Sequence, residues 1–130
     1  MLFRSHSADL LDALPRRDLP IVCAQNGVAN ERIALRRFAD VYAMVVMLPA
    51  VHLEPGRVDA QGTPYSGLLD VGRYFHGVDE TAVAVAEALS ASGFTSQPVD
   101  RIMRWKYAKL LRPDAAGRAA GAGHVTRALL

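Results

Sequence analysis

The chain has little cysteine, little lysine and no long apolar run. One cysteine, Cys23, in 130 residues excludes an internal disulfide and points to a reducing, cytoplasmic setting. No apolar stretch approaches the roughly 18 residues that a membrane span requires. Arg4 is followed by neither an h-region nor a small-residue cleavage site, so a soluble protein with no membrane partner is expected. His6, His52, His76 and His124 show no metal-ligand spacing and have no cysteine partners, so no metal is expected. A basic stripe of the kind that tracks phosphates is also absent. The net charge is +2, but residues 1–111 hold twelve Lys or Arg against twelve Asp or Glu, and the excess lies in Arg112, Arg118 and Arg127. A neutral body excludes nucleic acid as the expected partner. Of the 15 basic residues only Lys106 and Lys109 are lysine. An arginine-rich chain with many Ala, Gly and Pro is what GC-rich coding sequence gives. Two lysines within four residues then mark a place where arginine does not serve, or fall together by chance.

What is present suits one globular domain: 51% hydrophobic and 22% charged residues. Ser7 is placed to cap a short helix over Ala8–Leu14, which Pro15 ends. Pro20–Ala24 reads as a buried strand, and Asn26-Gly27 as a sharp break after it. Asn30 is placed to cap a helix over Glu31–Phe38, with Glu31 as the acid of its first turn. Val41–Leu48 reads as a second buried strand, closed by Pro49. Val51–Leu53 and Arg57–Ala60 flank Glu54-Pro55-Gly56 as a hairpin. Gly67–Tyr74 is a strand, Asp79 caps a helix over Glu80–Ala91, Phe94–Pro98 is a short strand, and Asp100 caps a last helix over Arg101–Leu111. The pattern predicts an α/β fold whose sheet is parallel at first and carries antiparallel edge strands. Residues 112–130 form a low-complexity tail in which thirteen of 19 residues are Ala, Gly, Arg or Pro, and Pro113 breaks the preceding helix. That composition is also what a frame-shifted reading of GC-rich codons produces.

Two places carry chemistry. Asn26 and Gly27 fall just past the carboxyl end of a buried strand, where open α/β sheets bind ligands. Gly27 permits close backbone approach, and the Asn26 carboxamide offers an acceptor and two donors. An ordinary strand-to-helix turn uses the same two residues. On the last helix, Ile102, Met103, Trp105, Tyr107 and Leu110 spread over a broad apolar arc with Lys106 and Lys109 inside it. A lysine desolvated there has its pKa lowered and donates a proton more readily near neutral pH. A lysine that snorkels past the aromatic surface to water does not. Cys23, mid-strand among apolar residues, reads as an inert buried thiol.

The segment Gln25-Asn26-Gly27-Val28-Ala29-Asn30-Glu31 resembles the Q-N-G-x-x-N-E segment of the ketopantoate reductase family, the 2-dehydropantoate 2-reductases. Ile102-Met103-Arg104-Trp105, followed by Lys109-Leu110-Leu111, resembles that family's W…K-L-L-x-N helix. The resemblance covers residues 8–111 and includes the elements between the motifs. It implies reduction of an α-keto acid to the 2-hydroxy acid by hydride from NADPH, in a pantothenate-type pathway. It implies that Lys109 is the general acid, preferred to Lys106 because it directly precedes Leu110-Leu111. It also implies that Asn26 and Gly27 bind the substrate and the nicotinamide end of the cofactor.

The sequence departs from the family where the pyrophosphate is held. No G-x-G-x-x-G follows an opening strand, so the phosphate-binding loop is absent. Pro113 stands where the family has asparagine, four residues after the lysine, and the helical domain that follows in the family has no counterpart. The expectation is therefore a partial Rossmann-like dinucleotide-binding domain over residues 1–111 that lacks its first βαβ unit. It is an inactive fragment as it stands, self-associating through an exposed sheet edge. The alternatives are a non-enzymatic α/β remnant and a small protein-interaction module.

Overall fold

The computed structural model describes the backbone of residues 3–111 and the side chains of residues 7–50 and 54–111. The expected tail over 112–130 lies outside the described residues. The elements in chain order are α1 (Phe3–Ala13), β1 (Ile21–Cys23), α2 (Asn30–Leu35), β2 (Val41–Met47), β3 (Ala50–Glu54), β4 (Arg57–Ala60), β5 (Leu68–Arg73), α3 (Glu80–Ala91) and α4 (Ile102–Leu110).

β2 is the middle of a three-stranded mixed sheet in the order β1-β2-β5. It runs parallel to β1, pairing Ile21 with Val41 and Cys23 with Ala43. It runs antiparallel to β5, pairing Tyr42 with Arg73 and Met47 with Leu68. β3 and β4 form the separate hairpin expected around Glu54-Pro55-Gly56. The expected α/β class, parallel first and antiparallel at one edge, is what the chain adopts.

Side chains alternate across β2 and both faces are covered, which is why Val41–Met47 has no polar positions. Tyr42, Met44 and Val46 pack with Val71, Ala82 and Ala86 under α3. Ala43, Val45 and Met47 face the other way, against Ile102 and Met103 of α4. Val41, on that same face, joins Cys23 with Ala34 of α2 and Phe38 beyond it. α2 and α4 are therefore neighbours on one face of the sheet.

Four local expectations need correction. Ser7 lies inside α1, which begins earlier, so it is not a cap. α2 is shorter than Glu31–Phe38 and is capped at Ala29 with no side-chain hydrogen bond, so Asn30 is its first residue. Arg101, not Asp100, stands at the N-cap of α4, again without a side-chain bond. Phe94–Pro98 is not a strand but two isolated parallel bridges to β5, Leu68 to Thr95 and Val71 to Pro98. Side chains interrupt the ladder there: the Gln97 amide donates to Asp70 Oδ1 at 2.9 Å, and the Ser96 hydroxyl donates to the Leu69 carbonyl at 2.5 Å.

Asp79 is the cap that the sequence predicts, and it does more than cap. Its Oδ1 accepts from the Ala82 amide at 2.9 Å. Its Oδ2 accepts from the Tyr42 hydroxyl at 2.7 Å and from Arg73 at 2.8 Å, while Arg73 also donates to Asp40 at 2.7 Å. Burial pushes this carboxyl up, but the Ala82 amide, Tyr42 and Arg73 outweigh it and hold it below the usual carboxylate range. A depressed folded-state pKa contributes stability above the unfolded value and loses it as pH falls through the folded one. Asp79→Ala should therefore cost about 1–2 kcal/mol near neutrality. In urea unfolding at successive pH values, that difference should shrink towards acid. A gap that stays constant with pH would remove the ionised carboxylate from the account.

Gly72 sets how closely α4 approaches the sheet. A Cβ there would collide with the Val99 carbonyl and lie 2.9 Å from Ile102 Cβ, backbone and core atoms with no room to yield. Gly72→Ala should destabilise the fold by about 1–3 kcal/mol, read by denaturant unfolding. A neutral substitution would show that α4 is not held at this distance.

Candidate functional site

Because β1 and β2 are parallel, their carboxyl ends lie at the same edge of the sheet. From Cys23 the chain leaves β1 and turns at Gly27, whose φ of 97° is a conformation that other residues adopt at a cost. A Cβ on Gly27 would meet nothing within 4 Å, so the constraint is on the backbone, and the space beside it is open. The turn presents Asn26 to the carboxyl end of β2. α4 crosses the same face and brings its last turn there.

Lys109 closes the site. Its ammonium donates to Asn26 Oδ1 at 2.7 Å and to the Val46 carbonyl near the end of β2. The two sequence-predicted centres, 83 residues apart, are thus in direct contact. An ammonium has three donors, so one remains for an oxygen presented at this edge. Burial lowers the Lys109 pKa, and the nearby charge of Lys106 lowers it further. That combination makes its proton easier to release than that of an ordinary lysine.

Lys106 behaves differently. It is 5% exposed and pairs with Glu31, which is fully buried; it also donates to the Gln25 carbonyl at 3.1 Å. Lys106 does not reach past the aromatic surface to water, whereas Lys109 is partly exposed and meets the exposed Asn26 at the surface. The apolar arc was drawn too wide, however, because Tyr107 and Leu110 are each 52% exposed. Glu31 escaped sequence reasoning, which placed it as an ordinary first-turn acid. Its partner is 75 residues away, and the available signal was the unusual pair of lysines. The Cys23 thiol is 4% exposed and pushed up to about 11, first by burial and then by the Glu31 charge, which suits an inert thiol. Among the described residues no group of three or more His, Cys, Asp or Glu could hold a metal ion.

The chain has only two lysines, so ¹³C-lysine labelling gives two side-chain signals to follow. Lys109 should titrate below an ordinary lysine. The folded form then releases this proton before the unfolded form does, so stability rises with pH between the two values. An ordinary midpoint would remove the desolvated environment from the account.

No family model matches the chain. It is 28% identical over 95 residues to the 2-dehydropantoate 2-reductase of Pyrococcus horikoshii, a match spanning 73% of this chain and 31% of that protein. The solved 2-dehydropantoate 2-reductase from Geobacter metallireducens superposes with a TM-score of 0.72 at 23% identity, over 85% of this chain and 36% of that one. D-mandelate dehydrogenase in complex with NADH superposes with a TM-score of 0.66 at 24% identity, over 81% of this chain and 35% of that one. The resemblance to ketopantoate reductases seen in the two motifs thus extends along most of the sequence, and the fold is that of part of a Rossmann-like dehydrogenase. The chain spans about a third of the length of these relatives.

Proposed function

We propose that this corner is the proton-donating, substrate-holding part of a nicotinamide-dependent reductase of the 2-dehydropantoate 2-reductase type, acting on an α-keto acid. The observation that supports the reading is the Lys109–Asn26 contact at the carboxyl end of the parallel strand pair. A partly buried ammonium beside a carboxamide, with open backbone at Gly27, suits carbonyl reduction at the reacting end.

The residues present fit that end of a cofactor: Asn26 and Gly27 would hold the substrate and the adjoining nicotinamide ring. When bound, NADPH supplies the hydride. Lys109 holds a proton at Nζ and passes it to the carbonyl oxygen as that oxygen gains charge; the ammonium stabilises the forming alkoxide until transfer is complete. The Asn26 and Val46 oxygens fix the ammonium in place, so its remaining donor is the one aimed at substrate. Residues 1–130 contain no G-x-G-x-x-G loop after a strand to hold the pyrophosphate end.

That division gives two expected results. Titrated with NADPH and followed by fluorescence, the chain by itself should show no saturable binding, and micromolar binding would overturn the account of the missing cradle. In a chimera where residues 8–111 replace the matching stretch of the Geobacter reductase, Lys109→Ala should lower kcat about 10²- to 10⁴-fold. Cofactor affinity should change little. Unchanged turnover would reassign the acid.

A further inference from the structure

Lys106 and Glu31 are the most deeply buried charged pair among the described residues, and the proton-transfer reading does not use them. Lys106 holds both ends of the loop that carries Asn26. Its ammonium donates to the Gln25 carbonyl, one residue before Asn26, and pairs with Glu31, at the start of α2. One helical turn on, Lys109 reaches Asn26 inside that bracket. Between those ends Val28 packs on the core, and α2 is capped at Ala29 without a side-chain hydrogen bond, so Lys106 supplies the polar hold on the loop. The pair is incompletely satisfied. Glu31 Oε2 is buried and accepts no hydrogen bond, and buried ion pairs of this kind are often matched or bettered by apolar residues. Its geometry is that of a register device.

We propose that Lys106 and Glu31 are positioning residues: their buried ion pair brackets the Gln25–Glu31 segment against α4 and so seats the Asn26 carboxamide on the Lys109 ammonium. The proposal rests on the reading of Lys109 and Asn26 as the reacting pair. The ionisable groups set around this corner are Lys106 and Lys109 on α4, Glu31 on α2, Cys23 on β1 and Tyr74 just past β5, with Arg32 and Tyr107 beside Tyr74; the loop and β2 contribute the uncharged Asn26 carboxamide and Val46 carbonyl.

The test uses the full chain labelled with ¹³C,¹⁵N-lysine. The double variant Glu31→Leu/Lys106→Met removes both charges and keeps apolar volume, so it leaves no buried charge alone. It should fold, while the Lys109 side-chain signal moves towards that of a free lysine and loses its cross-relaxation to the Asn26 carboxamide. Amide exchange at Gly27 should quicken about tenfold or more. A folded double variant with the Lys109 signal, cross-relaxation and exchange all unchanged overturns the proposal. A second measurement needs no substitution. In the unaltered chain the Lys106 ammonium protons should exchange slowly and show cross-relaxation to Gln25 and Glu31; exchange as fast as in an exposed lysine overturns it too. Asn26→Ala separates the two readings. If Lys109 responds to Asn26→Ala but not to the double variant, the positioning role alone fails. If Lys109 is indifferent to Asn26→Ala, the reacting pair fails and the proposal falls with it.

Discussion

Everything here depends on burying β2 from both sides. Val41 to Val45 are all buried, and a strand without a solvated face must be covered on each side. α3 covers one face with the small side chains Ala82 and Ala86, which allow close approach to Tyr42 and Met44. α4 covers the other with Ile102 and Met103. Each well-buried apolar side chain of this size contributes about 1.5–3 kcal/mol. The apolar half of α4 therefore decides where its last turn goes, and Lys109 is carried to the end of β2 as a consequence. The site is a by-product of core packing, made specific by a few polar contacts.

Most of the architecture was legible because it rests on local signals. Continuous β-branched and aromatic runs mark β2, Asn26-Gly27 marks the break after β1, and Asp79 marks the start of α3. The errors lie where tertiary contacts override such signals. Asn30 and Asp100 are good caps by composition, yet their helices begin one residue off the expected frame, and packing rather than capping fixes those ends. Phe94–Pro98 has the composition of a strand, but Asp70 and Ser96 take backbone partners that a ladder would use. The arc on α4 failed at Tyr107 and Leu110 because helical periodicity shows which residues share a face, not how much of that face the sheet covers.

The candidate site was legible in its residues and not in its wiring. Asn26, Gly27 and Lys109 stood out through two separate motifs, and nothing in either motif gives the 2.7 Å contact between them. That contact needs parallel pairing of β1 with β2 and a helix returning across the same face, both long-range facts. Glu31 was invisible for the same reason. A first-turn glutamate and a buried counter-ion look identical in sequence, and the difference lies in a lysine 75 residues later.

The scarcity of lysine can now be given a physical reason. An arginine at position 109 would bring a planar fork suited to a carboxylate, whereas its partners are a carboxamide oxygen and a backbone carbonyl that converge on one atom. A guanidinium also keeps its proton at any working pH, so burial beside another cation could not turn it into a proton donor. At position 106 the demand is geometric: one compact charge must reach a carboxylate and a carbonyl at the two ends of a loop, in a space that leaves it 5% exposed. The other thirteen basic residues of the chain are all arginine. The two exceptions fall where a compact ammonium meets converging oxygens, Lys106 between the Gln25 carbonyl and Glu31 and Lys109 between Asn26 and the Val46 carbonyl.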